Sequence, residues 1–181
     1  MGLANKISIV RILLAPCVVA SLVYYGPTRD GLRYLALTLF TLGIVSDAVD
    51  GFIARTHRQQ SQLGTLLDPI ADKLLILSAL ISLSTIRALP AWMRVPAWFN
   101  LVVISRDVIL VTGTLLIFFF TGKLTVTPSR LGKLAVAFQM LVIPTILLRL
   151  PIKGELLIVA AAFTICSGIG YLRMGVRVLG P

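Results

Sequence analysis

Residues 47–72 read DAVDGFIARTHRQQSQLGTLLDPIAD. Asp47 and Asp50 are three residues apart, and Asp68 and Asp72 are four apart. Either separation puts two side chains on one face of a helix. The first pair closes one apolar run and the second opens the next, across a polar connection from Arg55 to Thr65. Two antiparallel helices joined in this way carry both pairs to the same depth. An ionised carboxylate in hydrocarbon costs at least about 2.5 kcal/mol, so these aspartates need either basic partners or a shared cation. Carboxylates that face one another repel unless cations sit between them. Hard divalent ions, Mg²⁺ or Mn²⁺, suit an all-oxygen set. His57, the one histidine, is read as solvated in the connection, which leaves Zn²⁺ without its usual ligands. A structural polar network in a channel or transporter is the other reading open to this pattern.

The sequence on either side of this stretch is that of a membrane protein. The chain has 181 residues, of which 57% are hydrophobic and 13% charged, with a mean hydropathy of +0.97. Soluble domains carry about 25% charged residues. Six apolar runs of bilayer-spanning length are expected at about 7–25, 32–53, 66–86, 97–120, 131–150 and 154–172. The predicted fold is therefore an all-α bundle of six transmembrane helices forming one domain over residues 1–181. The first run is read as an uncleaved helix, since no small-residue cleavage site follows it. Tyr24, Tyr25, Tyr34, Trp92, Trp98 and Tyr171 fall near span ends, where aromatic side chains anchor at the headgroups. Cys17 and Cys166 lie within apolar runs and read as small packing residues.

The net charge is +10, from 17 Lys and Arg against 7 Asp and Glu. Because the basic residues lie mostly between apolar runs, they point to topology control and anionic lipid, not to nucleic acid. With the amino terminus inside, nine basic residues fall on the cytoplasmic side and six on the other: Arg29, Arg33, Arg87, Arg94, Arg149 and Lys153. The predicted location is an integral membrane protein with the 47–72 segment facing the cytoplasm.

The segment fits the pattern D-x2-D-G-x2-A-R-x8-G-x3-D-x3-D at each fixed position, and so resembles the CDP-alcohol phosphotransferases. Asn5, Ser8 and Arg11 resemble that family's amino-terminal N-x2-[ST]-x2-R element. Pro128-Ser129, Gly132-Lys133 and Gln139 resemble its later P-S-x2-G-K-x5-Q element. The resemblance implies cleavage of a CDP-linked donor, usually CDP-diacylglycerol, with attack of an acceptor hydroxyl on the lipid-side phosphorus and departure of CMP. It implies Asp47, Asp50 and Asp68 as ligands to two metal ions, Mg²⁺ or Mn²⁺, clamping the diphosphate. Asp72 matches the proposed catalytic base and is a further candidate metal ligand. The implied donor site comprises Asp47, Gly51, Ala54, Arg55, Gly64, Asn5 and Ser8. There the glycines allow close approach, and Arg55 offers a guanidinium to the diphosphate. A homodimer is also implied.

The acceptor is less sharply marked. Arg106 and Asp107 interrupt the fourth span. Arg106 is either a snorkelling anchor, a partner for Asp107, or a cavity residue acting with Arg130 and Lys133 on a phosphate-bearing acceptor. Glycerol 3-phosphate, phosphatidylglycerol and inositol phosphate all fit such a cluster. Family phosphatidylglycerophosphate synthases typically show R-E followed by L-R in this span. Arg106-Asp107 followed by Gly113-Thr114 looks closer to eukaryotic-type cardiolipin synthases, which join CDP-diacylglycerol to phosphatidylglycerol.

Overall fold

A computed structural model describes the backbone of residues 3–57, 62–121 and 129–179, and the side chains of 8–46, 70–117, 119, 129–173 and 175. Among these residues the protein is all-helical, with six helices: α1 Leu3–Val23, α2 Gly31–His57, α3 Gln62–Thr85, α4 Ala97–Thr121, α5 Arg130–Leu147 and α6 Lys153–Leu179. Each expected span has its helix. Three helices are long and apolar enough to cross a membrane along Ala97–Ile117, Arg130–Leu147 and Lys153–Arg173. Ser8–Val23 and Gly31–Ser46 are shorter apolar helical stretches. In α2 the apolar stretch gives way to the aspartate segment while the helix continues.

The segment from Arg55 to Thr65 departs from expectation. Its described residues are helical, since α2 runs to His57 and α3 begins at Gln62. Polar residues end an apolar run without ending a helix, because backbone hydrogen bonding is indifferent to whether side chains meet lipid or water. Gly51 and Gly64 accordingly lie inside helices.

Apolar side chains form the buried core, with Phe40, Leu80 and Phe99 fully enclosed, and also much of the outer surface. Leu101 is 68% exposed and Phe119 79%, while Ser8, Arg11, Arg33, Arg106, Asp107, Gln139, Thr164 and Ser167 are buried. An apolar outer surface with charged side chains such as Arg11, Arg33 and Arg106 withdrawn inside suits a lipid solvent. Cys17 and Cys166 are exposed on this apolar surface and are not part of a packed core.

The chain forms two compact units. In the first, residues 1–95 and 143–150, α1 packs against both α2 and α3. Gly43 marks where the three helices meet: a Cβ there would overlap Leu75 of α3 and lie 3.8 Å from Leu14 Cδ1 of α1. At the α1–α2 turn, Asp30 accepts a bidentate pair of hydrogen bonds from buried Arg33, at 2.9 Å from Nε and 2.7 Å from Nη2. Arg33 Nη1 donates to the Leu147 carbonyl at 2.8 Å. Arg149 Nη2 donates to Asp30 at 3.2 Å, and its guanidinium lies 4.3 Å from the Trp92 ring centre.

Arg149 has φ 58°. Its N–H donates to the Ile146 carbonyl and that of Leu150 to the Thr145 carbonyl, both at 3.0 Å, the paired bonds of a Schellman cap. Glycine is the usual residue at that position. Arginine serves here because its side chain bridges Asp30 and Trp92. The 86–96 loop is held by Arg94, which donates to the carbonyls of Leu89 at 2.8 Å and Arg87 at 2.7 Å. Tyr25, expected as an interfacial anchor, is instead buried, with its hydroxyl 3.5 Å from Asp30.

In the second unit, residues 96–142 and 151–181, α4 packs on α6. α5 and α6 meet through stacked rings of Phe138 and Phe163, 5.0 Å between centres. Buried Gln139 Nε2 donates to Thr164 Oγ1 at 2.9 Å. The glutamine of the P-S-x2-G-K-x5-Q element thus ties two helices together.

Candidate active site and acceptor cluster

The first cluster lies within the first unit. Helical backbone runs through both aspartate pairs, so Asp47 and Asp50 take i,i+3 positions on α2, and Asp68 and Asp72 take i,i+4 positions on α3. The side chains of Asn5, Asp47, Asp50, Gly51, Ala54, Arg55, Gly64 and Asp68 lie outside the described residues.

Asp72 is described. It is about a quarter exposed and forms an ion pair with Arg11 of α1, whose Nη1 donates to Asp72 Oδ1. Arg11 is 1% exposed, and Ser8, one turn before it, is fully buried. The amino-terminal element therefore meets the last aspartate directly. Arg11 belongs to the N-x2-[ST]-x2-R match, yet sequence reasoning assigns it no role at the site. The signal that could have found it is an arginine inside the first apolar run, which must find an anion to be buried there.

The second cluster lies within the second unit. Arg106 of α4 is 5% exposed, so it does not snorkel. Its Nη1 donates to Asp107 Oδ1 at 2.9 Å and its Nη2 to Ser167 Oγ of α6 at 3.1 Å. Buried Nε has no hydrogen-bond partner among the described residues. The guanidinium lies 5.7 Å from the Tyr171 ring centre.

Ser129 caps α5, its Oγ accepting the Gly132 N–H at 3.0 Å. Tyr171 Oη accepts the Ser129 N–H at 3.1 Å. A Cβ on Gly132 would stand 2.9 Å from Arg106 Nη2 and 3.3 Å from Ser167 Oγ, so the close approach of Arg106 to α5 requires glycine here. Arg130 and Lys133, both exposed, flank that glycine in the first turn. No acidic residue occupies this turn. Two cations at the positive end of a helix dipole are unfavourable unless an anion joins them. Of the three readings of Arg106 open from sequence, its burial excludes snorkelling and the pairing with Asp107 is present, and its Nη2 also lies beside Gly132 of the α5 turn. Tyr171, expected as an interfacial anchor, faces this cluster.

Residues 1–166 match the CDP-alcohol phosphatidyltransferase family. A Mycobacterium tuberculosis protein named "Probable phosphatidylglycerophosphate synthase" is 31% identical over 187 aligned positions, covering 99% of this chain and 84% of that one. A Rickettsia typhi protein named CDP-diacylglycerol--glycerol-3-phosphate 3-phosphatidyltransferase is 32% identical over 181 positions, covering 95% and 96% respectively. A Cereibacter sphaeroides protein of the same name is 40% identical over 80 residues, 44% of this chain and 35% of that protein. Polar residues buried among helices of membrane-spanning character and a family match over most of the length agree: the chain is an integral membrane enzyme of the CDP-alcohol phosphatidyltransferase family.

Proposed function

We propose that this enzyme transfers the phosphatidyl group of CDP-diacylglycerol to glycerol 3-phosphate, releasing CMP and forming phosphatidylglycerophosphate. The observation that carries the reading is the complete aspartate motif set on two helices, in a chain whose near-full-length relatives bear names for this reaction.

The donor set suits a hard divalent cation: carboxylate oxygens at helical spacing, with no cysteine or histidine among them. Asp47, Asp50 and Asp68 are the residues that would hold Mg²⁺ or Mn²⁺, with Asp72 as a further candidate ligand. When bound, the metal supplies neutralisation of charge on the diphosphate. Asp72 accepts the proton of the attacking hydroxyl as the new bond to the lipid-side phosphorus forms and the bond to CMP oxygen breaks. Arg11 holds the Asp72 carboxylate in place. Arg55 binds the donor, and Gly51, Ala54 and Gly64 leave room for the nucleotide.

Arg106, Arg130 and Lys133 bind the acceptor's phosphate. The two exposed cations and the α5 dipole, which has no acidic residue in its first turn, support this side of the reading, together with the buried Arg106 Nε. Charge-assisted hydrogen bonds to phosphate contribute about 1.5–3 kcal/mol each. Lys133→Ala should therefore raise the acceptor KM by roughly tenfold to a hundredfold and leave the donor KM nearly unchanged, and Arg55→Ala should do the reverse.

The decisive assay offers CDP-diacylglycerol and Mg²⁺ to the purified enzyme with labelled glycerol 3-phosphate, phosphatidylglycerol and inositol phosphate in parallel. Labelled phosphatidylglycerophosphate is expected. Cardiolipin as the main product would restore the acceptor suggested by Arg106-Asp107 and Gly113-Thr114, and absence of CMP release would favour a transporter.

The motif side faces the cytoplasm in this reading. Three of the six basic residues assigned to the opposite side, Arg33, Arg94 and Arg149, hold carbonyl or carboxylate groups of the fold. On the cytoplasmic side Arg11 likewise pairs with Asp72, so the orientation rests on the nine-against-six count itself. A cysteine at Gln60 should react with impermeant thiol reagents only after the membrane is opened; labelling in intact cells would reverse the orientation.

A further inference from the structure

Two residues of α6 carry no role in the reading above, yet both touch the cluster assigned to the acceptor. Ser167 and Tyr171 are one turn apart and so share a face of the helix. Ser167 Oγ accepts a hydrogen bond from Arg106 Nη2 at 3.1 Å. The Tyr171 ring lies under the same guanidinium at 5.7 Å, within cation–π range. At its far end Tyr171 Oη accepts the Ser129 N–H at 3.1 Å, and Ser129 caps the turn that holds Arg130, Gly132 and Lys133. One aromatic side chain therefore touches both halves of the cationic cluster: the buried arginine on α4 and the first turn of α5.

We propose that Tyr171 and Ser167 are positioning residues that hold Arg106 and the amino-terminal turn of α5 together as one anion-binding unit for the phosphate of the acceptor.

The physical case rests on what each contact constrains. An arginine has several rotatable bonds, and fixing it takes more than one anchor. Asp107 fixes Nη1, Ser167 fixes Nη2, and the Tyr171 ring sets the plane, leaving buried Nε without a partner among the described residues. Glycine at 132 lets this arginine lie against the α5 turn, since a Cβ would stand 2.9 Å from Nη2. A phosphate bound there meets a guanidinium and a helix amino terminus already set in place, with two exposed cations beside them, so binding carries a smaller ordering cost.

The inference depends on the acceptor assignment above, so its test carries a control for that assignment. Tyr171→Phe keeps the ring and removes the hydroxyl, Tyr171→Leu removes both, and Ser167→Ala removes one anchor of Arg106. Each is assayed in detergent with CDP-diacylglycerol and glycerol 3-phosphate, beside Lys133→Ala. Tyr171→Phe should raise the acceptor KM by roughly threefold to tenfold, the value of one neutral hydrogen bond, and Tyr171→Leu by more. Ser167→Ala should resemble Tyr171→Phe. The donor KM should stay within about twofold of the parent enzyme in all three.

If Lys133→Ala raises the acceptor KM while all three α6 variants leave it unchanged, the positioning role is refuted and the acceptor site survives. A lower melting midpoint with an unchanged acceptor KM in those variants also refutes it, as does an equal rise in both KM values. If Lys133→Ala leaves the acceptor KM unchanged, the acceptor site falls and this inference with it. Tyr171→Phe, the conservative variant, decides the matter if Tyr171→Leu does not fold.

Discussion

The first unit carries one aspartate at the α1–α2 turn and four more along α2 and α3, and the proposed function gives the two sets opposite roles. Asp30, at the α1–α2 turn, lies within reach of two guanidiniums and a phenol: Arg33 grips both oxygens, Arg149 adds a third hydrogen bond, and the Tyr25 hydroxyl is 3.5 Å away. About 25 Å further along α2 the chain sets down Asp47 and Asp50, with Asp68 and Asp72 on α3. There Arg11 is paired with Asp72, and four carboxylates are concentrated in a 26-residue stretch. A carboxylate whose lone pairs are occupied by arginines is a fastener. Carboxylates gathered in one stretch repel one another unless cations join them, which is the role proposed for the metal. The first end should therefore answer to stability measurements and the second to activity.

The largest expected effect breaks the motif end alone. Asp68→Asn keeps size and removes charge, and should reduce CMP release below about 1% of the parent enzyme at saturating Mg²⁺, with an unchanged melting midpoint. Asp30→Asn should do the converse, lowering the midpoint while sparing activity. Substantial turnover in Asp68→Asn would dissolve the contrast.

Arg11 stands where the two roles overlap. Its guanidinium is buried against the Asp72 carboxylate, so removing it deletes an ion pair and opens a cavity beside α3. Arg11→Ala should fold poorly. Arg11→Met combined with Asp72→Asn should recover the midpoint without recovering CMP release. Recovery of both would mean that the pair is purely structural.

A smaller effect sharpens the other end. Arg149 occupies a left-handed conformation that costs a non-glycine residue about 1–2 kcal/mol. Both Arg149→Ala and Arg149→Gly lose the Asp30 and Trp92 contacts, and only glycine relieves the backbone. The glycine variant should be more stable than the alanine variant by about 1 kcal/mol in chemical denaturation. Equal stabilities would show that the cap is not strained.

The smallest effect is in pH. The hydrogen bond from Arg33 holds the Asp30 carboxyl below its usual value, outweighing burial. A depressed folded pKa gives stability that is full above the ordinary carboxylate pKa and lost as pH falls through the folded value. The difference in melting midpoint between the parent enzyme and Asp30→Asn should be present at neutral pH and shrink in acid. A difference that grows in acid would reverse the sign.

Local patterning makes the helices and the aspartate motif readable from sequence. Apolar runs of spanning length mark helices directly, and i,i+3 and i,i+4 spacing is a property of one helix. What sequence hides is mostly long range. Arg11 and Asp72 are 61 residues apart, as are Arg106 and Ser167, while Arg149 and Asp30 are separated by 119. No local pattern announces such pairs. The aromatics mislead for a related reason. Position near a span end is legible, but the direction a ring faces is not, so Tyr25 and Tyr171 read as headgroup anchors although both face polar clusters. The α2–α3 connection misleads because a change in side-chain polarity there does not coincide with a change in backbone.

The most direct test of the central claim is a metal titration. Purified enzyme in detergent is titrated with Mn²⁺, and the free ion is followed by electron paramagnetic resonance, for the parent enzyme, Asp30→Asn and Asp68→Asn. The parent enzyme and Asp30→Asn should each bind about two ions per chain, as a two-metal site requires, and Asp68→Asn should lose at least one. A binding curve for Asp68→Asn that superimposes on the parent's would contradict the account.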